Sequence, residues 1–141
     1  MESLEATVWQ TPFTFATHPS VGLITEPDGE GTALLVVAPG GLDAYPKYVV
    51  RFSHVFSVTC GEEEGFLLQL GQDCSPSKAV AHIWASSPYA ASYAEMVFGY
   101  GLEVCHYVIF GGDNIASVVA GAPPVIETVT EPREITVRYA V

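Results

Sequence analysis

The segment EVCHYVIFGGDNIASVVA, residues 103–120, constrains the fold of this chain most strongly. Two mostly apolar runs flank Gly-Gly-Asp-Asn, and these residue types tolerate the positive φ angles of a tight chain reversal. A two-residue loop would consist of Gly112 and Asp113. Phe110 and Ile115 would then face each other across the two strands. Both faces of this hairpin are largely apolar, as in strands covered on both sides, so we expect the hairpin at the centre of the core.

Alternating apolar and polar residues predict further strands. The clearest alternation covers residues 47–60, which we expect to form one long half-buried strand with His54 and Phe56 among its inward side chains. We expect a bend or bulge near Ser53-His54, because typical strands have only about five or six residues. Residues 21–38 predict a hairpin with a longer loop. Weaker patterns predict short strands in residues 1–20, 66–70, 79–85, 125–130 and 134–141.

One segment has the residue spacing of a helix. Ser87 can cap its N-terminus, Pro88 suits its first turn, and Gly99 and Gly101 end it. An apolar stripe at helical spacing, which we expect to pack on the core, consists of Tyr89, Tyr93, Met96, Val97 and Tyr100. Strands and helix together predict an α+β fold that is mainly antiparallel β. It would have about 8–10 strands in a sandwich or curled sheet, with one main α-helix near residues 88–98.

Composition limits the class of protein. The length of 141 residues fits a single globular domain, residues 1–141, that can bury a core of its own. Hydrophobic residues make up 49% of the chain, which excludes disorder, but the longest strongly apolar run, residues 33–38, is too short to cross a bilayer. No Lys or Arg precedes Lys47, and the three cysteines are an odd number at no zinc-like spacing. We therefore expect a protein of the reducing cytoplasm that does not enter membranes.

Charge is the extreme property of this sequence. Sixteen acidic residues against five basic ones give a net charge of −11. Such a chain repels nucleic acid and anionic membranes and attracts basic proteins, although acidity also serves solubility alone. Glu62, Glu63 and Glu64 form a predicted solvated turn and are candidates for steering a basic partner. Tyr45 and Tyr100 lie in loops rich in Gly and Pro and are candidates for partner-binding anchors.

Three histidines form the one conceivable metal site. His54, His82 and His106 lie in the middle of predicted strands on apolar faces, and neighbouring strands could bring their imidazoles together around zinc. No His-x-His or His-x-x-x-His spacing supports such a site, and a histidine in a core is usually a hydrogen-bonded structural residue. We therefore expect no metal and no cofactor, with these three histidines as the ligands if a metal is bound.

No motif in the sequence names a reaction. The chain contains no Gly-x-Ser-x-Gly elbow, phosphate-binding loop or dinucleotide fingerprint. Cys105 and His106 have the side chains of a thiolate–imidazole pair, but neighbouring residues of a strand point to opposite faces. The sequence therefore favours a protein that is not an enzyme.

The leading hypothesis is a non-enzymatic protein-binding domain. Small size, strong acidity and the lack of motifs make this chain similar in general character to bacterial immunity proteins and phage-encoded inhibitors. Its expected role is to neutralise a basic partner such as a nuclease or toxin, since the charge of −11 would steer that association. One alternative is a small enzyme or metal-binding protein that uses His54, His82 and His106. Another is the subunit of a homo-oligomer that covers an exposed strand edge.

Overall fold

The computed structural model describes residues 6–17, 19–25, 31–41, 43–61, 79–84, 87–112 and 114–134. This part of the chain is mainly antiparallel β with one main helix, as the sequence predicts. The elements are β1 (Ala6–Val8), β2 (Ser20–Thr25), β3 (Ala33–Ala38), β4 (Lys47–Phe52), β5 (Val55–Gly61), β6 (Ala81–Trp84), α1 (Pro88–Met96), β7 (Cys105–Phe110), β8 (Ile115–Ala120) and β9 (Val125–Val129).

The strands form two sheets in which every neighbouring pair is antiparallel. A five-stranded sheet has the order β1-β6-β7-β8-β5, and a four-stranded sheet has the order β2-β3-β4-β9. The three-residue strand β1 lies at an edge, which agrees with the short or edge strands predicted for the N-terminal segment. Strands β2 and β3 are the hairpin predicted within residues 21–38.

The predicted central hairpin is confirmed together with its register. Strands β7 and β8 pair so that Phe110 lies opposite Ile115, and β7 is the middle strand of its sheet. The Gly111 amide donates a hydrogen bond to the Asn114 carbonyl over 2.7 Å, which closes the turn. Val108 is fully buried, so this strand is covered on both faces. Turn chemistry and apolar faces were therefore sufficient to place these strands.

The predicted long strand over residues 47–60 is two strands in different sheets. Strand β4 belongs to the four-stranded sheet and β5 to the five-stranded one, and the chain crosses between them at Ser53-His54, where the bend was expected. His54 has a left-handed backbone with φ of 52°, and its carbonyl accepts a 2.9 Å hydrogen bond from the Gly121 amide. The prediction that His54 faces inward is wrong, because this reversal leaves the side chain exposed.

One hydrophobic core takes side chains from both sheets. Trp9 and Tyr107 of the five-stranded sheet region meet Phe52 of the four-stranded sheet, with the Trp9 and Tyr107 ring centroids 5.1 Å apart and those of Phe52 and Tyr107 5.5 Å apart. The other buried members of this cluster are Phe13, Val21, Leu35, Val37, Val50, Ala81, Ile109, Ala116, Val118 and Ala120. We call the face of each sheet toward this cluster inner and the opposite face outer.

Helix α1 packs on the outer face of the five-stranded sheet. Ser87 caps it as predicted, since its hydroxyl accepts a 3.2 Å hydrogen bond from the Ala90 amide. The Tyr93 ring stacks on Phe56 with centroids 5.1 Å apart. The predicted burial of the apolar stripe is wrong for Tyr89, Met96 and Tyr100, which are 46%, 72% and 78% exposed, whereas Tyr93 and Val97 are half-buried. Only Ala90 is buried within the helix, so its small side chain allows the close approach to the sheet.

Several predictions lie outside the described residues. They concern the acidic turn Glu62-Glu63-Glu64, the strands at residues 66–70 and 134–141, and the placement of Asp113 and Cys74. Within the segments that the structure describes, none of the helical residues forms a helix of the length and hydrophobicity that a membrane crossing requires.

Candidate functional site

The segment that follows helix α1 carries a cluster of exposed apolar side chains. We call residues 96–102 the aromatic loop. The exposed fractions of Met96, Phe98 and Tyr100 are 72%, 91% and 78%. Large hydrophobic residues exposed to this degree are otherwise scattered singly over the described surface, as at Phe15 and Val125. Three such side chains within five consecutive residues are a candidate interaction site, because contiguous exposed apolar surface commonly marks binding.

Two glycines and three hydrogen bonds define the shape of the aromatic loop. Gly99 and Gly101 have φ angles of 93° and 77°, a region that residues with a Cβ rarely adopt. The amides of Val97, Phe98 and Tyr100 donate to the carbonyls of Tyr93, Glu95 and Val97 over 3.1, 3.4 and 3.0 Å. The loop is therefore a hydrogen-bonded double turn, and it presents the two aromatic rings without a long flexible segment.

The electrostatic surroundings of the aromatic loop are acidic. Glu95 and Glu103 flank it in sequence, and both side chains are exposed. No Lys or Arg occurs anywhere in residues 79–132, which include the helix, the loop and strands β6 to β9. An apolar patch bordered by carboxylates is suited to a partner surface that combines an apolar recess with basic residues.

The other predicted partner-binding residues are not part of this site. Tyr45 is half-buried against Leu34, Val49 and Val129 on the outer face of the four-stranded sheet, and the Lys47 ammonium lies 4.6 Å from its ring centroid. Tyr100 instead follows the helix on the five-stranded sheet. The structure therefore separates the two predicted tyrosine anchors, and Tyr100 alone has the exposure that an anchor needs.

Beneath the helix lies a buried hydrogen-bonded network of two serines and a histidine. His106 Nδ1 lies 2.6 Å from Ser87 Oγ, and His106 Nε2 lies 2.5 Å from Ser117 Oγ. The Trp84 and Tyr89 rings cover the imidazole, with centroids 5.2 and 6.0 Å away. Burial lowers the pKa of His106 to about 4, so the ring is neutral at physiological pH.

This network has components of a nucleophilic site but not the accessibility of one. A serine hydroxyl hydrogen-bonded to a histidine is the nucleophile–base pair of many hydrolases. Here Ser87 and His106 are 2% and 1% exposed, and Ser117 is 8% exposed. Ser87 also accepts the hydrogen bond that caps the helix. The arrangement is that of a structural link between helix and sheet, since a substrate has no direct access to the imidazole.

The three histidines of the predicted metal site are placed differently from one another. His54 is exposed at the crossing between the sheets, whereas His82 and His106 are buried on the outer face of adjacent strands. His82 Nε2 lies 3.0 Å from the Ala79 carbonyl oxygen. Burial lowers the pKa of His82 against the opposing effect of the Ala79 and Thr7 backbone, and His82 Nδ1 has no well-aligned hydrogen-bond partner among the described residues. Among the described residues, no three His, Cys, Asp or Glu side chains lie close enough to hold a metal ion.

The predicted separation of Cys105 and His106 is confirmed. Cys105 packs against the inner core, whereas His106 points to the helix cap on the outer face. Burial raises the pKa of both the Cys105 and the Cys60 thiols, which disfavours the thiolate that a nucleophile would require.

Sequence reasoning missed two features of the site. Val108 is directly opposite Ser117, so Ser117 lies diagonally across from His106 on the same face of the hairpin. The predicted register already implied this contact. Phe98 does not belong to the helical stripe, so it was not singled out. The available signal was its place directly before Gly99, because a large aromatic side chain in a tight glycine turn is seldom buried in the core.

Comparison of the chain with protein-family models, with curated proteins and with solved structures gives no match.

Proposed function

We propose that this chain is a non-enzymatic protein-binding domain that docks a basic partner protein through the aromatic loop. The role is that of an inhibitor or immunity-like factor acting on a partner such as a nuclease or toxin. The observation that carries the proposal is the exposure of Phe98 and Tyr100, 91% and 78%, between the exposed carboxylates of Glu95 and Glu103.

The two aromatic rings supply the apolar part of such an interface. Aromatic side chains bury roughly 150–250 Å² each and dominate interface energetics, and tyrosine is enriched among the residues that carry most of the binding energy. Three backbone hydrogen bonds hold the turn around them before binding, and Gly99 and Gly101 allow its positive φ angles. Less conformational entropy is then lost on association than with a flexible loop, which supports affinity.

Charge selects the kind of partner. The net charge of −11 favours approach of a basic surface, and this attraction is screened over roughly 8 Å at physiological ionic strength. A symmetric homodimer through the same loop is disfavoured. Its two-fold axis would bring Glu95 and Glu103 of one copy close to the same carboxylates of the other, and like charges that face each other are destabilising.

The scaffold and the compartment complete the proposal. Since one core cluster draws on both sheets, we infer a β-sandwich with α1 on its outside, in which the sheets would pack about 10 Å apart. The free thiols of Cys60 and Cys105 fit a reducing compartment such as the cytoplasm. A homo-oligomer formed at a strand edge is the remaining structural alternative.

A direct binding experiment tests the proposal. A basic protein that co-purifies with the chain is identified by mass spectrometry, produced separately, and its association and dissociation rates are measured. Phe98→Ala and Tyr100→Ala should each speed dissociation about tenfold or more, since that corresponds to about 1.4 kcal/mol. Phe15→Ala is the matched control, because Phe15 is 66% exposed outside the loop, and it should change dissociation less than twofold.

The carboxylates should act on a different rate. Glu95→Gln with Glu103→Gln should slow association at low salt and leave dissociation nearly unchanged. Replacement of Glu62, Glu63 and Glu64 by glutamine tests the acidic turn in the same way. If Phe98→Ala and Tyr100→Ala bind like the unchanged protein, the aromatic loop is not the docking site, and an association rate insensitive to salt would remove the electrostatic part of the proposal.

The enzyme or metal-binding alternative has its own measurement. Near one zinc per chain in protein purified without an affinity tag, lost in His106→Ala, would replace the proposal by a metal-dependent function. His106 already has both ring nitrogens within hydrogen-bond distance of serine hydroxyls, which is why the binding role is preferred.

A further inference from the structure

Helix α1 is attached to the sheet by few contacts. Only Ala90 is buried among its nine residues. Among the described residues, the contacts that fix it are the hydrogen bond between its cap residue Ser87 and His106, the Tyr89 ring against the His106 and Trp84 rings, and the stack of Tyr93 on Phe56. Two of these four contacts involve His106, and the Ser87 amide also donates to the Trp84 carbonyl. A helix of nine residues is too short to be stable alone in water, so its persistence depends on such tertiary contacts.

We propose that His106 is an acid-sensitive latch, which holds helix α1 and hence the aromatic loop on the five-stranded sheet while the imidazole is neutral and releases them when it is protonated. The consequence for a partner rests on the proposed function of the loop, whereas the latch itself is a property of the free protein.

The chemistry of the ring explains the dependence on charge. A neutral imidazole has one N–H donor and one acceptor nitrogen, and a serine hydroxyl can serve either, so Ser87 and Ser117 satisfy both. Protonation makes both nitrogens donors and places a positive charge in a buried site. That charge is costly unless an anion pairs with it.

Among the described residues, the groups that face His106 provide no anion. Trp84 of β6 and Val119 of β8 are apolar neighbours, Ser87 and Ser117 are neutral hydroxyls, and Tyr89 of α1 offers a ring edge. His82 on the same face of β6 is a further base whose pKa burial also lowers. Burial is the cause that lowers the pKa of His106.

The sign and size of the pH effect follow from two pKa values. The latched ring has a pKa of about 4, and a ring exposed by release of the helix would return toward 6.5. Above pH 6.5 both states are neutral, and the latch is at full strength. As pH falls from 6.5 to 4, the released state binds more protons, which shifts the equilibrium toward release by up to about 300-fold.

An NMR titration of the free, full-length protein tests the latch. The His106 ring and the backbone amides of Ala90 to Met96 and of Phe98 to Tyr100 are followed from pH 7.5 to 3.5. The helix and loop amides should change with the midpoint of the ring, between pH 4 and 6.5, while amides of strands β3 and β4 keep their positions. Unchanged helix amides during ring titration would overturn the proposal, and so would loss of the whole fold at the same midpoint.

Variants separate the imidazole from other titrating groups. His106→Gln removes the imidazole and keeps every other ionisable group, so the helix shifts that it abolishes belong to the latch. If that variant does not fold, Ser87→Ala keeps His106 but removes the contact to Nδ1, and the titration midpoint of the His106 ring should rise toward 6.5. Ser87→Thr is its control, because it keeps the hydroxyl and should keep the original midpoint. An equal midpoint in Ser87→Ala and the unchanged protein would also overturn the latch.

The two proposals fail independently. The titration uses the free protein, so it can fail while Phe98→Ala still weakens partner binding. If no binding partner exists, the titration still decides whether the latch exists. Where both hold, a complex formed at pH 7 should dissociate at least tenfold faster at pH 4.5, and His106→Gln should remove most of that acceleration.

Discussion

The middle strand of the five-stranded sheet provides a sharp test of the fold, because a charge buried on its outer face would have polar neighbours and one buried on its inner face would not. Val108 and Ile109 are neighbours on β7 and are 0% and 1% exposed. Val108 lies on the outer face opposite His82 and Ser117, whereas Ile109 lies on the inner face opposite Ala81 and Ala116. Substitution of each by aspartate therefore compares two buried sites of one strand that differ mainly in polar neighbours.

The expected magnitudes follow from burial and from the partner available. Loss of a buried aliphatic side chain costs about 1.5–3 kcal/mol, and a buried carboxyl whose pKa rises by 3–5 units costs roughly 4–7 kcal/mol more at neutral pH. Ile109→Asp should therefore lose on the order of 6 kcal/mol or more, comparable with the whole stability of a typical domain. In Val108→Asp the new carboxyl lies opposite His82, whose Nε2–H donates to the Ala79 carbonyl and whose Nδ1 is therefore an acceptor. The protonated form of the buried carboxyl can donate to that Nδ1, which should recover about 0.5–1.5 kcal/mol.

Urea unfolding followed by the fluorescence of Trp9 and Trp84 and by circular dichroism measures these differences. Val125→Asp is the control, because Val125 is 57% exposed on β9 and should lose less than about 1 kcal/mol. If Ile109→Asp is unfolded without urea, the pair Val108→Asn and Ile109→Asn keeps the comparison measurable. Equal losses at both positions would refute the role given to His82. Melting of either aspartate variant within a few degrees of the unchanged protein would refute the central placement of β7.

Two backbone positions give the remaining predictions. His54 has a φ of 52°, a left-handed conformation that glycine adopts more easily than a β-branched residue. His54→Gly should therefore leave the free energy of unfolding unchanged or raise it by up to about 1 kcal/mol, and His54→Val should lower it by about 1–2 kcal/mol in the same urea assay. The opposite order would contradict the left-handed assignment. A Cβ at Gly111 would lie 2.8 Å from the Asn114 carbonyl oxygen, so Gly111→Ala should cost about 1–3 kcal/mol. Gly61→Ala should cost less than about 0.5 kcal/mol, because no described residue has an atom within 4 Å of a Cβ at that position.

Local chemistry explains why the hairpin was predicted with its register. Gly112 and the residues around it restrict the reversal to a tight turn. The position of that turn fixes the register, so every pair along the two strands, including Val108 with Ser117, follows from its distance in residues from the turn. The position of β7 in the middle of its sheet followed from apolar residues on both faces. Such features are encoded within about twenty residues of chain, so no knowledge of the remaining fold was needed.

The crossing at His54 shows the limit of periodicity. A period of two describes β4 and β5 equally well whether they form one strand or two, since each strand alternates by itself. The left-handed residue between them and the register shift between Val55 and Ser57 change which face the chain presents afterwards. Phe56 consequently contacts Tyr93 of the helix. Only the tertiary arrangement of the two sheets decides whether β4 and β5 form one strand or two, so the sequence predicted the bend but not the change of sheet.

The helix shows a different limit. Its start was predictable, because Ser87 and Pro88 are cap and first-turn residues whose preference is local. Its buried face was predictable only in part, since Tyr93 of the stripe packs on Phe56, whereas Met96 and Tyr100 remain exposed. The one buried residue of the helix is the small Ala90, which a search for large apolar residues does not select.

The division of this molecule into well-packed sheets and a weakly attached helix bears on how a binding surface can be controlled. Regions with few buried contacts open at low free-energy cost, while core strands such as β7 open only with the whole fold. The aromatic loop continues directly from the weakly attached helix, so its position depends on contacts made at Ser87 and Tyr93. Under the proposed latch, protonation of one buried imidazole would reach Phe98 and Tyr100 through release of the helix, without any rearrangement of the two sheets.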